Sequence, residues 1–131
     1  MGAVRNAEDV ISPSISIAQG ALVTSTVTGA AVDLTQVDQA LIIFNYGVIT
    51  DGTFTPSITT SSTSGGTYAA DTVSGTLTAG TSAADETLVA VTYNKDSGKD
   101  FVKAVLTVTD SPATGGFVSA TVIPFKNGLR P

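Results

Sequence analysis

Carboxylates and amines gather in one short segment of this 131-residue chain, Asn94-Lys95-Asp96-Ser97-Gly98-Lys99-Asp100. Asn94, Asp96 and Asp100 are spaced in a way that superficially resembles a calcium loop. Such a loop needs Gly at its sixth position and Glu at its twelfth. Counted from Asn94, those positions hold Lys99 and Val105. The pattern therefore fails, and the segment reads as a solvated turn of alternating charge. Asp85 and Glu86 are adjacent. In an extended strand they would point to opposite faces, so a loop entering a strand suits them better than a shared proton. Asp51 reads as a turn residue, while Asp33 and Asp38 flank a short turn and are placed to cap it. His and Cys are both absent, which removes His-based triads, thiolate nucleophiles and most transition-metal sites. No GxSxG or SxxK motif occurs. The Gly-rich stretches "GTSAADE" and "TSGGT" lack the Gly-Lys-Ser/Thr ending of a phosphate loop. The expectation is a chain that is not an enzyme and that needs neither cofactor nor metal.

Composition narrows the partners. The net charge is −5, with 11 acidic and 6 basic residues. Neutralising phosphates takes clustered Lys and Arg, so nucleic acid is not an expected partner, and an anionic membrane surface is disfavoured for the same reason. No apolar run reaches the roughly 20 residues of a membrane-spanning helix, and "MGAVRNAEDV" lacks the apolar segment of a secretory leader. Hydrophobic residues make up 42% and charged residues 13%. That balance is the reverse of a disordered chain's, and the length suits one domain.

The elements that would position any site have a period of two. In "FVKAVLTVT", Val102, Ala104, Leu106 and Val108 share one face. "TLVAVTY" and "FVSATVIPF" alternate likewise, and "QALIIFNYGVI" is a continuous apolar run that fits a central strand. The predicted core is Leu41, Ile43, Val89, Val91, Ala104, Leu106, Val108 and Val122, with Phe44, Phe101 and Phe117 also inside. Turn signals separate the strands. Thr50-Asp51-Gly52-Thr53 reads as a tight hairpin, "SSTSGGT" as a flexible loop, and "NKDSGKD" and "DSPATGG" as turns. One helical turn is predicted near Leu34–Ala40, and Pro56 marks an edge strand or a bulge. The spacing is that of an all-β antiparallel sandwich or barrel. It divides the chain into an N-terminal arm (1–9), a sandwich domain (10–124) and a C-terminal tail (125–131).

Two stretches carry a family resemblance. "VDLTQVDQALIIFNYGVITDGTFTPSITTSSTSGGTYAA" resembles small proteins encoded near the capsid genes of tailed bacteriophages. In that family a "VDL" turn, an apolar strand, a Gly-x-x-Thr-Asp-Gly-Thr segment, a further strand and a Ser/Gly-rich loop follow one another. Gly47, Thr50, Asp51, Gly52 and Thr53 fill the segment here. "FVKAVLTVTDSPATGGFVSATVI" is similar to the family's later half, through Phe101, Val102, Lys103, Val105, Gly115 and Gly116. The resemblance implies a jelly-roll-like β-sandwich with extended terminal tails, acting as a capsid decoration or cement protein on the outer face of the virion. The implied partners are the major capsid protein and further copies of the chain, as a homotrimer. Arg5, Lys126 and Arg130 in the tails are the expected contacts to an acidic shell or a neighbouring subunit. The alternative is a phage tail or fibre accessory module that binds a host surface ligand. It would need displayed rings, for which Tyr46 and Tyr68 are the candidates.

Overall fold

The computed structural model describes residues 14–18, 22–96 and 98–125, and these form nine strands and no helix. They are β1 (Ser14–Ile17), β2 (Val27–Thr28), β3 (Val32–Asp33), β4 (Gln39–Ile49), β5 (Thr53–Ser61), β6 (Ala69–Asp71), β7 (Thr87–Asn94), β8 (Phe101–Thr109) and β9 (Gly116–Phe125). Two antiparallel sheets pack face to face. Sheet A has the order β1-β9-β4-β7; sheet B has the order β2-β8-β5-β6, with β3 also on β8. All successive strands except β2–β3 and β5–β6 lie in opposite sheets, so the chain wraps as a jelly roll. Arg5, Lys126 and Arg130 lie outside the described residues. Phe125, the first residue of the expected tail, is the last residue of β9 and pairs with Gln39.

The core sits between the sheets. Ala40, Ile42, Phe44 and Tyr46 of β4 point into it, facing Phe54 and Ile58 of β5 and Val102, Ala104 and Leu106 of β8. Each large apolar side chain removed from water there contributes about 1.5–3 kcal/mol. Val89, Val91, Ala104, Leu106 and Val122 are buried as predicted, and Val108 packs against the core while partly exposed. Leu41 and Ile43 depart from the expectation. Both are half-buried on the outer face of sheet A. In an unbroken apolar run the period does not set the phase, and a slip of one residue inverts every side chain. Here the neighbours set it: Ile42 registers with Val91 and Val122, which also point inward. The same alternation puts Val118, Ala120 and Val122 inside, which turns Phe117 outward. Phe101 is half-buried on the outer face of sheet B, opposite Asp33 and Ser61.

The Asp51-Gly52 turn is not a hairpin. β4 belongs to sheet A and β5 to sheet B, so residues 50–52 form a corner between the sheets. Both edges of β4 are already occupied, by β7 and β9. Gly52 still supplies the positive φ, at 87°. β7 and β8 likewise lie in opposite sheets, and residues 110–115 carry the chain back from sheet B to sheet A. The predicted helical turn is a single turn in which the Val37 N–H donates to Leu34 C=O at 3.2 Å. Asp33 does cap it, accepting from the Thr35 N–H at 2.8 Å. Pro56 sits in β5 opposite Leu106. The Phe54 N–H, of the same parity, points away from β8 to Gly80. Pro56 therefore meets the gap between Gly80 and β6, where no ladder donor is required.

A candidate docking surface

Asp33, Asp51, Asp71, Asp85, Asp100 and Asp110 all accept hydrogen bonds within the chain. Asp96 and Asp100 of the charged turn do not converge. The Lys95 ammonium takes Asp100 at 2.9 Å and Leu34 C=O at 2.9 Å. Asp96 faces Asp71 on β6 instead. Asp71 accepts from Thr60 at 2.8 Å, Tyr93 at 3.0 Å and the Thr72 N–H at 2.8 Å. Burial pushes Asp71 up, but these donors outweigh it and hold the carboxyl below its ordinary value. Its hydrogen bond and charge push Asp96 up. Burial raises the Tyr93 phenol to about 12. This cluster fastens the edge of sheet B to the edge of sheet A. Asp85 accepts from the Ile49 N–H at 3.0 Å. Among the described residues, no three carboxylates come together as a metal site.

The two rings considered for display are engaged as well. Tyr46 is 1% exposed and its hydroxyl donates to Thr78 C=O at 2.8 Å; burial pushes it up to about 12. It points inward because it shares the phase of Ile42 and Phe44. Tyr68 is half-buried under the Lys103 ammonium, 4.1 Å from its ring centroid, and its hydroxyl donates to Ser64 C=O.

What remains is a surface. None of the four strands of sheet A contains Asp, Glu, Lys or Arg. Sheet B, by contrast, carries Asp33, Asp71 and Lys103. The register builds the outer face of sheet A row by row. Ile15, Thr121, Ile43 and Ala90 form one row across all four strands. Ile123, Leu41 and Thr92 form the next on one side, and Ser119, Asn45 and Leu88 the next on the other. Leu88 is 66% exposed and Ile15 is 63% exposed.

At one end the face steps outward. Tyr46 registers with Val118 and Ile49 with Gly116, so β4 carries one more residue than β9 in this interval. This bulge places Gly47 and Val48 together opposite Phe117. The backbone groups it frees are satisfied: the Ile49 N–H by Asp85, and Gly47 C=O by the Glu86 N–H at 3.0 Å. Val48 is left 52% exposed and Phe117 39% exposed. Val23 pairs with Gly116, which brings exposed Leu22 beside Phe117. Among the described residues, four of the five large exposed hydrophobics, Leu22, Val48, Leu88 and Phe117, thus lie at this end of one face. Contiguous apolar surface of this kind marks an interaction site more often than scattered exposed residues do. The sequence signal was available, since four strand-forming stretches are free of charge. Local periodicity does not reveal the face, because the strands that share the sheet are far apart in the chain.

A scan against protein-family models, a search of curated proteins and a search of solved structures each returned no match.

Proposed function

We propose that this chain is a structural virion protein that docks on the outer surface of a tailed-phage capsid and stabilises the shell, with the outer face of sheet A as the surface that meets the major capsid protein. The observation that supports this reading is the absence of charge from all four strands of that sheet in a chain of net charge −5. Docking a sheet face costs little desolvation when no charge has to be buried. A protein that binds the assembled lattice and not its loose subunits stabilises the lattice by mass action. The class of partner comes from the resemblance of residues 31–131 to proteins encoded beside capsid genes. Three copies around a local symmetry axis, as that resemblance implies, would set three such faces on the shell. The terminal segments, with Arg5, Lys126 and Arg130, are proposed to reach neighbouring subunits.

The test mixes the full chain with undecorated heads and counts bound copies after sedimentation. Wild type should bind saturably. Ala90→Asp and Ile43→Lys, both on the outer face of sheet A, should lower occupancy at least about tenfold, because a charge would have to be buried unpaired. Deleting residues 1–9 or 126–131 should weaken binding with the sandwich intact. Failure of wild type to bind any head would refute the reading.

A further inference from the structure

We propose that in the absence of a shell the outer face of sheet A is covered by the same face of a second copy, in a two-fold, face-to-face dimer. The inference rests on the reading of that face as a docking surface, and it adds what occupies it beforehand. Charge selects the occupant. The chain carries 11 acidic and 6 basic residues. Two copies that approach through sheet B or the corner turns must desolvate charged groups, Asp33 and Lys103 on the sheet or Asp51 and Asp110 at the corners. The strands of sheet A carry no charge, and Asp85 and Glu86 stand only at the rim of that face, beside the bulge at Gly47–Ile49. A two-fold interface uses one patch twice, so the patch must be complementary to itself. A neutral face of alternating aliphatic and hydroxyl side chains satisfies that condition, whereas a charged face of one sign cannot. Two such faces pack as sheets do in a sandwich, about 10 Å apart.

Size sets the strength. Four strands at about 4.8 Å spacing and about eight residues at 3.3 Å rise cover roughly 500 Å² per copy. The total of roughly 1,000 Å² lies at the lower edge of specific interfaces. The dimer is therefore weak and reversible, and the face becomes free again when a better partner is met. Docking on a shell then exchanges one neutral partner for another, and the free protein buffers its own attachment.

Sedimentation velocity on the full chain, from about 1 to about 200 µM, tests this in a range that spans micromolar dissociation constants. The expected result is a rise from monomer to dimer mass with concentration. Ala90→Asp and Ile43→Lys should hold the protein at monomer mass with an unchanged far-UV spectrum. Lys103→Glu, on the outer face of sheet B, should leave the rise intact. Ala90 is exposed, so its replacement does not disturb the core even if Ile43→Lys misfolds. A wild type that stays monomeric overturns the dimer. So does a dimer unaffected by Ala90→Asp, or a trimer at any concentration. Head binding is read separately: monomers that bind heads would remove the dimer and leave the decoration role, and dimers that bind no head would do the reverse.

Discussion

The Ser16 hydroxyl accepts a hydrogen bond from the Ala104 N–H at 3.1 Å, from one sheet of the sandwich to the other. β2 pairs with Leu106 and Val105, and β3 with Val102 and Phe101. Between them, on the edge of β8 away from β5, the Ala104 C=O takes the Gly29 N–H but the Ala104 N–H meets no strand. The register shift between Ile15 and Ile17 turns Ser16 out of the β1 ladder and into that gap. Its hydroxyl also donates to Ala30 C=O at 2.9 Å. One buried side chain thereby supplies a missing rung and joins the sheets.

Ser16→Ala should cost about 1–3 kcal/mol, because it strands the Ala104 N–H in a buried site. Urea unfolding monitored by circular dichroism reads the loss. Ser16→Thr keeps the hydroxyl but adds a methyl beside Gly29, so it should not restore full stability. An alanine variant with the wild-type midpoint would show that water replaces the serine without penalty.

The phase of β4 gives a paired test. Leu106 is fully buried, and Leu106→Ala should cost about 2–5 kcal/mol through lost transfer energy and a residual cavity. Leu41 is half-buried on the outer face, and Leu41→Ala should cost about 1 kcal/mol. Equal losses at the two positions would contradict the assigned register.

Gly52 occupies φ 87°, and a Cβ there would lie 2.8 Å from the Pro112 ring. Gly52→Val should lose about 1–3 kcal/mol from backbone strain alone, and more from the clash. Thr53→Ser keeps the hydroxyl that bonds Asp110 and should melt close to wild type. A valine variant with a wild-type melting curve would mean that the corner re-forms in another conformation.

Asp51 makes the opposite crossing sensitive to acid. Its carboxylate accepts from the N–H groups of Gly115, Ala113 and Thr114, and these bonds, that from Gly115 foremost, hold its carboxyl below the usual carboxylate range. They fasten a turn in which Asp110 and Ser111 both have positive φ. A carboxyl whose folded pKa is depressed stabilises the fold above its unfolded pKa, and that contribution disappears as pH falls through the folded value. Wild type should therefore lose melting temperature between about pH 5 and pH 2.5. Asp51→Asn should melt lower than wild type at pH 6, with the gap closing at pH 2.5. Parallel melting curves across that range would show that the charge on Asp51 is immaterial.

The sequence made the strands and the all-β class legible because period-two alternation is a local property. Val89, Val91, Leu106 and Val122 followed from it directly. The phase of Leu41 and Ile43 did not, since only β7 and β9 decide which side of an apolar run faces inward. The Asp51-Gly52 turn was correctly placed, but its role as a corner was hidden. Turn chemistry specifies φ at Gly52 and says nothing about whether β5 returns to β4 or to β8. Tyr46 looked displayable in isolation, and its burial depends on the same phase. The charge-free face was invisible for a related reason: Ile15, Thr121, Ile43 and Ala90 meet only after the sheet has formed.

The central place of β4 also governs how the chain comes off the ribosome. Ile42 must find Val91 on one side and Val122 on the other, so this strand is not covered on both edges until β9 has been made. At typical synthesis rates the interval from residue 50 to residue 125 lasts roughly 4–15 s. Throughout it "QALIIFNYGVI", without a charge to guard it, is a ready template for the same segment of another nascent chain. Folding dominated by such distant pairings takes milliseconds to seconds once all strands are present. The neutrality that suits sheet A to docking is thus a hazard during biosynthesis, and yield should depend on how many chains are being made at once.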